Sequence, residues 1–266
     1  MAHAPSSAAA ASAAPLTWAF AALTDAGRVR ANNEDALAFD ASLGVAILAD
    51  GMGGYNGGEV ASGMAIALLQ ASFGRWLAHA GPSAHPRAVR RALQAGVDEA
   101  NAAILDAGAA NVQLQGMGTT LVLAAFGAHR AIVGHIGDSR CYRLRAGELK
   151  LLTRDHSLLQ EQLDAGAITP EQAASSPHRN LVTRAVGIER HVDLEMHEHR
   201  AQAGDLYLLC SDGLSEMVSD AQILTLLLQV NSLSEKATLL VATANDNGGR
   251  DNISVVLASA DAHSGR

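Results

Sequence analysis

Apolar and polar positions alternate along the chain in two rhythms. Short apolar runs bounded by glycine or charge occur at residues 16–23, 36–39, 45–49, 121–126, 131–136, 141–144, 149–152, 205–210 and 253–258. They are too short for helices and rich in branched residues, which predicts strands. Longer stretches repeat at helical spacing. Residues 59–77 form one predicted helix, closed by Gly81 and Pro82. Residues 86–106 form a second, with Val89, Leu93, Val97, Ala100 and Ile104 on one face. Three further helix starts carry capping boxes: Thr169 with Gln172, Ser219 with Gln222, and Ser232 with Glu235. Residues 145–148 read as a hairpin turn. Residues 191–200 alternate, so Val192, Leu194 and Met196 face inward while His191, Asp193, Glu195, His197 and His199 face water. Histidines two apart on one strand face suit a metal, but the wet face of an edge strand is the favoured reading, because nothing else converges on them. Residues 153–190 form a polar excursion, read as a surface flap over a site or as a plain connector.

Composition narrows the picture. The length of 266 residues allows one full core, and aromatics make up only 3%, so alanine, valine and leucine do most of the filling. Residues 1–15, rich in alanine and serine, lack the basic start and leucine-rich middle of a signal peptide and are read as a disordered extension. Residues 261–266 are read as a frayed tail, leaving one domain over 16–260. The formal net charge is -8 with no basic block, which disfavours nucleic acid. No apolar run is long enough to span a bilayer. Cys141 and Cys210 lie inside apolar runs and are expected to be buried thiols in a reducing, cytoplasmic setting.

Candidate chemistry lies at the ends of the strands. Asp50, Asp138 and Asp212 each follow or adjoin an apolar run beside a glycine, and Asp251 precedes the last run just after Gly248 and Gly249. Any one of them is ordinary turn chemistry. Gathered together, such carboxylates repel unless a cation lies between them, and oxygen donors without cysteine favour magnesium or manganese over zinc. Two such ions about 4 Å apart acidify a bridging water and aim it in line at a phosphate ester. Gly51 lets a carbonyl approach the same ions. In the polar stretch 24–35, Arg30 offers a planar fork for phosphate oxygens, while Glu34 and Asp35 suit cation-bound water; a solvated, self-paired loop is the plainer reading of that stretch alone. The chain has no Gly-x-Ser-x-Gly elbow, and neither cysteine sits in a phosphate-cradling loop, so attack by metal-activated water is the simplest chemistry left.

Six pieces occur in a telling order: Arg30-Ala31-Asn32-Asn33-Glu34-Asp35, Asp50-Gly51-Met52-Gly53-Gly54, Gly118-Thr119-Thr120, Gly137-Asp138-Ser139-Arg140, Ser211-Asp212-Gly213 and Gly249-Arg250-Asp251-Asn252. With them the chain resembles the metal-dependent protein serine/threonine phosphatases of the PPM (PP2C-type) class in their compact bacterial form, over residues 17–259. The resemblance implies an α+β fold, a four-layer α/β/β/α sandwich of two mainly antiparallel sheets flanked by helices. It implies that Asp50 bridges two Mn2+ or Mg2+ ions, that the Gly51 carbonyl binds one, and that Asp212 and Asp251 bind the other. Glu34 then acts through water, and Asp138 with Asp212 resembles the site of a third, weaker ion. Arg30 matches the phosphate-binding arginine, and residues 157–182 match a substrate-touching flap. Met52 stands where some relatives carry a histidine proposed to protonate the leaving group; a thioether cannot do so.

The function expected from this resemblance is hydrolysis of phosphoserine and phosphothreonine in proteins, without a phosphoenzyme. A monomer working opposite a serine/threonine kinase is implied. A catalytically silent phosphoprotein-binding module of the same fold is the alternative, disfavoured because every metal-binding acid is present; a two-metal enzyme acting on a diester or small metabolite is another. Arg154, His156, His178, Arg179 and Arg184 suit either acidic phosphopeptides or plain solvation.

Overall fold

The computed structural model describes residues 14–54, 56–81, 84–174 and 181–262. Most of both expected tails lies outside them, as do Ser175, Ser176, Pro177, His178 and Arg179 of the expected flap. Among the described residues, eleven strands form two sheets. One is ordered β1 (Leu16–Asp25), β11 (Ile253–Ala262), β10 (Leu206–Cys210), β7 (Arg140–Arg145) and β8 (Glu148–Leu151). The other is ordered β2 (Asp35–Asp40), β3 (Val45–Met52), β5 (Leu121–Phe126), β6 (Arg130–Ile136) and β9 (Glu195–Arg200), with β4 (Gly118–Thr119) paired to the end of β3. All the pairings are antiparallel.

The strands are apolar on both faces because each sheet is covered twice. In β3, Val45, Ile47 and Ala49 pack beneath α1 (Gly57–Ala80) and α2 (Pro86–Ala110), whereas Ala46 and Leu48 point between the sheets. In β10, Leu206, Leu208 and Cys210 pack beneath α6 (Asp220–Leu228) and α7 (Leu233–Asp246), while Tyr207 and Leu209 face the other sheet. The result is helix, sheet, sheet, helix, as expected. Several of the scarce aromatics gather between the sheets, where Trp18, Phe126 and Tyr207 meet edge-on or tilted, with ring centroids 4.4 to 5.8 Å apart. Cys141 and Cys210 are free and buried. Cys141 pairs in register with Leu209, so the two thiols lie on opposite faces of one sheet and belong to different core clusters.

The three capping boxes form. Ser219 and Gln222, and Ser232 and Glu235, exchange both reciprocal bonds, while Thr169 and Gln172 do so at the head of α4 (Pro170–Ala174). Two boundaries differ from the sequence expectation. β11 continues through Asp261 and Ala262, assigned to the tail, because Thr17 and Leu16 of β1 offer them partners. The excursion holds an unexpected helix, α3 (Leu158–Asp164), capped by the Ser157 side chain. Among the described residues, no helix is long and apolar enough to cross a membrane.

Candidate metal centre

Several strand ends meet at one rim of the sandwich. Asp50, near the end of β3, stands in register with Asp35 at the start of β2. Asp138 lies in the β6–β7 turn, Asp212 opens α5 (Asp212–Ser215) directly after β10, and Asp251 stands just ahead of β11. At this rim their charges act on one another. Burial pushes the Asp50 carboxyl well above the usual range, and the charges of Asp35, Asp212, Asp138 and Asp251 push it further. Asp212 is raised in the same way, by burial first and then by Asp138, Asp251, Glu216 and Asp35. Burial, then Asp155, lifts Asp138 to about 6. All four aspartates singled out in the sequence therefore share one nest.

The backbone around this nest is tied down on every side. The Asp50 carbonyl accepts from Thr119 Oγ1 at 2.9 Å and from the Thr120 amide at 2.8 Å, while its amide donates to Thr120 Oγ1 at 3.1 Å. Thr120 Oγ1 also lies 2.8 Å from Ser139 Oγ, beside Asp138. The Gly118-Thr119-Thr120 motif thus holds two acids without itself facing a ligand. Asn252 does the same for the stretch that carries Arg30 and Glu34. Its Nδ2 donates to the carbonyls of Ala26 and Asn32, and its Oδ1 accepts from the Glu34 amide at 2.8 Å.

Glu34 sits just before β2, and its carbonyl accepts from the Gly51 amide at 3.1 Å. Its carboxyl is raised by burial first, with Arg30 opposing and Asp251 and Glu59 reinforcing. A side chain at Gly51 would overlap the Gly58 carbonyl and come within 2.7 Å of the Glu34 carbonyl. Glycine is required there by the packing of α1, a reason added to the access expected from the sequence. Arg30 lies at the mouth, 53% exposed at its side chain, and its Nη2 donates to Asp251 Oδ2 at 2.7 Å.

Asp35, read from the sequence as suited to cation-bound water but not counted among the metal ligands, also belongs to the nest. It is lifted to about 6, by burial above all, and Ser211 Oγ donates to its Oδ2 at 2.9 Å. The signal that would have found it is register: a strand-opening acid must oppose Asp50 once β2 and β3 pair. Arg154, His156 and Arg184, read as solvated or peptide-facing, separate. Arg154 pairs with Asp164, His156 is buried against Glu195, and Arg184 lines a cleft of about 440 Å³ with Thr183, Ile188, Glu189, His191 and Asp193. On β9 it is Glu195 that gathers partners: His197 of the same strand and His156 both meet it, and it pairs in register with His135 of β6. His135, His156 and Glu195 place ligand-type atoms within 4.8 Å of one another.

The nest suits divalent cations. Carboxylates so buried cannot all ionise without a countercharge, and Arg30 offsets only part of it from the rim. Asp212 Oδ1 and Asp35 Oδ1 are buried with no hydrogen-bond partner among the described residues. The converging donors are carboxylate and carbonyl oxygens, the set preferred by hard ions such as Mg2+ and Mn2+.

Comparison with known proteins gives a consistent picture. The family model described as protein phosphatase 2C matches residues 25–258. The crystal structure of the Mycobacterium tuberculosis serine/threonine phosphatase PstP/Ppp superimposes with a TM-score of 0.82 at 42% identity, covering 92% of this chain and 99% of that one. A structure of the PstP catalytic domain with two manganese ions gives a TM-score of 0.80 at 41% identity, over 92% and 99% of the two chains. The serine/threonine phosphatase stp of Listeria monocytogenes is 38% identical over 241 residues, 90% of this chain and 94% of that protein. Full-length PstP is 45% identical over 244 residues, 91% of this chain; the chain spans 45% of the length of that relative.

Proposed function

The chain belongs to the protein phosphatase 2C family, and on that premise we propose that it is a metal-dependent phosphoserine/phosphothreonine protein phosphatase. What carries this reading is the nest itself: buried like charges, two of whose oxygens have no hydrogen-bond partner among the described residues. Its likeness to a phosphatase catalytic domain described with two manganese ions supports the same reading.

In this proposal Asp50 would hold two Mn2+ or Mg2+ ions, with help from the Gly51 carbonyl for one and from Asp212 and Asp251 for the other. Glu34 steadies the first through water, and Asp138 with Asp212 holds a third. Bound there, the ions supply Lewis acidity and a water acidic enough to attack phosphorus in line, with no phosphoenzyme. Thr119, Thr120 and Asn252 keep the carboxylates where the ions need them, so little reorganisation accompanies binding. Arg30 turns its fork from Asp251 to two phosphate oxygens and orients the ester. Met52 gives no proton to the leaving oxygen. In this reading the flap expected at 157–182 is the part of the chain that touches the protein substrate beyond its phosphoresidue. Substrates are phosphorylated proteins made by a serine/threonine kinase of the same pathway, met by a cytoplasmic monomer.

The direct test is hydrolysis of p-nitrophenyl phosphate and of a phosphothreonine peptide. Activity should stop with a chelator and return with Mn2+, and a phosphodiester should turn over far more slowly. A folded protein inactive at every Mn2+ and Mg2+ concentration would count against the proposal.

A further inference from the structure

The group formed by His135, His156, Glu195 and His197 stands behind the Gly137–Asp138 turn and has no part in the reading above. Its three closest members have ligand-type atoms within 4.8 Å, which invites a zinc site. Geometry argues otherwise. The rings of His135 and His156 stack with centroids 4.6 Å apart and planes 16° from parallel, so their lone pairs run side by side instead of converging. The polar atoms of His156 are also engaged. Its Nδ1 accepts from the Gly137 amide at 3.2 Å, which leaves the proton on Nε2, and that atom donates to Glu195 Oε2 at 3.1 Å.

The rest of the His156 residue is engaged too. Its backbone amide donates to the Gly137 carbonyl at 2.9 Å, and its carbonyl accepts from the Thr183 amide at 2.8 Å. Next to it, Ser157 bridges Val182, and the Leu158 amide donates to the Leu181 carbonyl at 2.9 Å. Gly137, at φ +100°, leaves no room on its far side, since a side chain there would come within 2.8 Å of Thr120. The Gly137 turn, which presents Asp138, is therefore clamped between Thr120 and His156. Glu195 stands behind the imidazole and accepts from His197 Nε2 at 2.9 Å with its other oxygen.

We infer that His156, held in one tautomer by Glu195, is a positioning residue that fixes the Gly137–Asp138 turn and joins it to the two passages at 156–158 and 181–183. The inference rests on the proposed role of Asp138 for its consequence in ion binding, but not for the clamp itself. Substitutions separate the two imidazole nitrogens. His156→Asn keeps an acceptor near the Nδ1 position and loses the Glu195 partner, whereas His156→Gln reaches toward Glu195 and loses the acceptor for Gly137. Glu195→Ala removes the tautomer lock at a partly exposed position that tolerates truncation.

Two readouts apply. Amide exchange by NMR on the metal-free protein should show Gly137 losing protection in His156→Gln and Glu195→Ala but retaining it in His156→Asn. Mn2+ titration should show the weakest ion losing about tenfold or more in affinity in His156→Gln, the scale of a lost supporting hydrogen bond, with most of it restored in His156→Asn. Equal behaviour of the Asn and Gln variants, or unchanged Gly137 protection in all three folded variants, would overturn the clamp. Exchange that follows the expected pattern in a protein without phosphatase activity would uphold the clamp and reject the proposed function.

Discussion

The nest of aspartates and the histidine–glutamate group are both clusters of titratable side chains, yet they are built on opposite principles. Around Glu195 each charge meets a complementary donor: His156 and His197 donate to its two oxygens, and its carboxyl is held down at about 2. Around Asp50 each charge meets another of the same sign, and the nearest carboxyls are pushed up. A buried acceptor left without a partner costs about 1–3 kcal/mol, more when charged, so the nest is held together at the expense of stability. The contrast separates two kinds of conspicuous cluster. One whose carboxylate is met by a donor at each oxygen braces the fold; one whose carboxylates face each other is waiting for a countercharge from outside the chain.

The sharpest way to break this contrast is Asp212→Asn. If the nest holds catalytic ions, kcat should fall by roughly a hundredfold or more, because several kcal/mol of transition-state charge stabilisation go with a ligand. Removing one buried like charge should at the same time raise the Tm of the chelated protein. Steady-state kinetics and calorimetry read the two effects separately, and a lowered metal-free Tm would mean that repulsion does not dominate there. A smaller effect is expected at the mouth. Arg30→Ala should raise KM about tenfold, the worth of a charge-assisted hydrogen bond of about 1.5 kcal/mol, with a lesser change in kcat. An unchanged KM for a phosphopeptide would remove Arg30 from substrate binding.

The smallest effect concerns pH. Asp35 and Asp138, both raised to about 6 in the metal-free fold, keep protons there that the unfolded chain releases near ordinary carboxyl values. Their protonation favours the metal-free fold as pH falls from 7 to 5, whereas ion binding needs the ionised forms. The rise in Tm produced by Mn2+ should therefore shrink over that interval. A Mn2+-induced shift that is constant or larger at pH 5 would place the ions away from these acids.

Much of this architecture could be read from residue patterns, because the decisive signals were local. The capping boxes at Ser219 and Ser232 formed as written, and the apolar run at 121–126 is β5 to the residue. The four aspartates were legible as acids at strand ends. What escaped was set by pairing between distant segments. Asp35 gains its place from register with Asp50, and Asn252 from bonds to Ala26 and Asn32, more than two hundred residues away. Glu195 looked like the wet face of a strand because alternation tells which side a residue takes, not that His156 from another loop reaches that side. The helix at 158–164 was hidden because two turns inside a polar excursion carry only Leu158, Leu159 and Leu163, too short a pattern to stand out beside the Ser157 cap.

The most direct measurement is a count of Mn2+ ions per chain by electron paramagnetic resonance, titrating wild-type protein and Asp50→Asn after chelation. Two tightly bound ions and a weaker third are expected for the wild type, and loss of the tight pair for Asp50→Asn, with both proteins folded by circular dichroism. A folded wild type that binds no Mn2+, or an Asp50→Asn variant that binds the pair undiminished, would contradict the assignment of the nest as the metal centre.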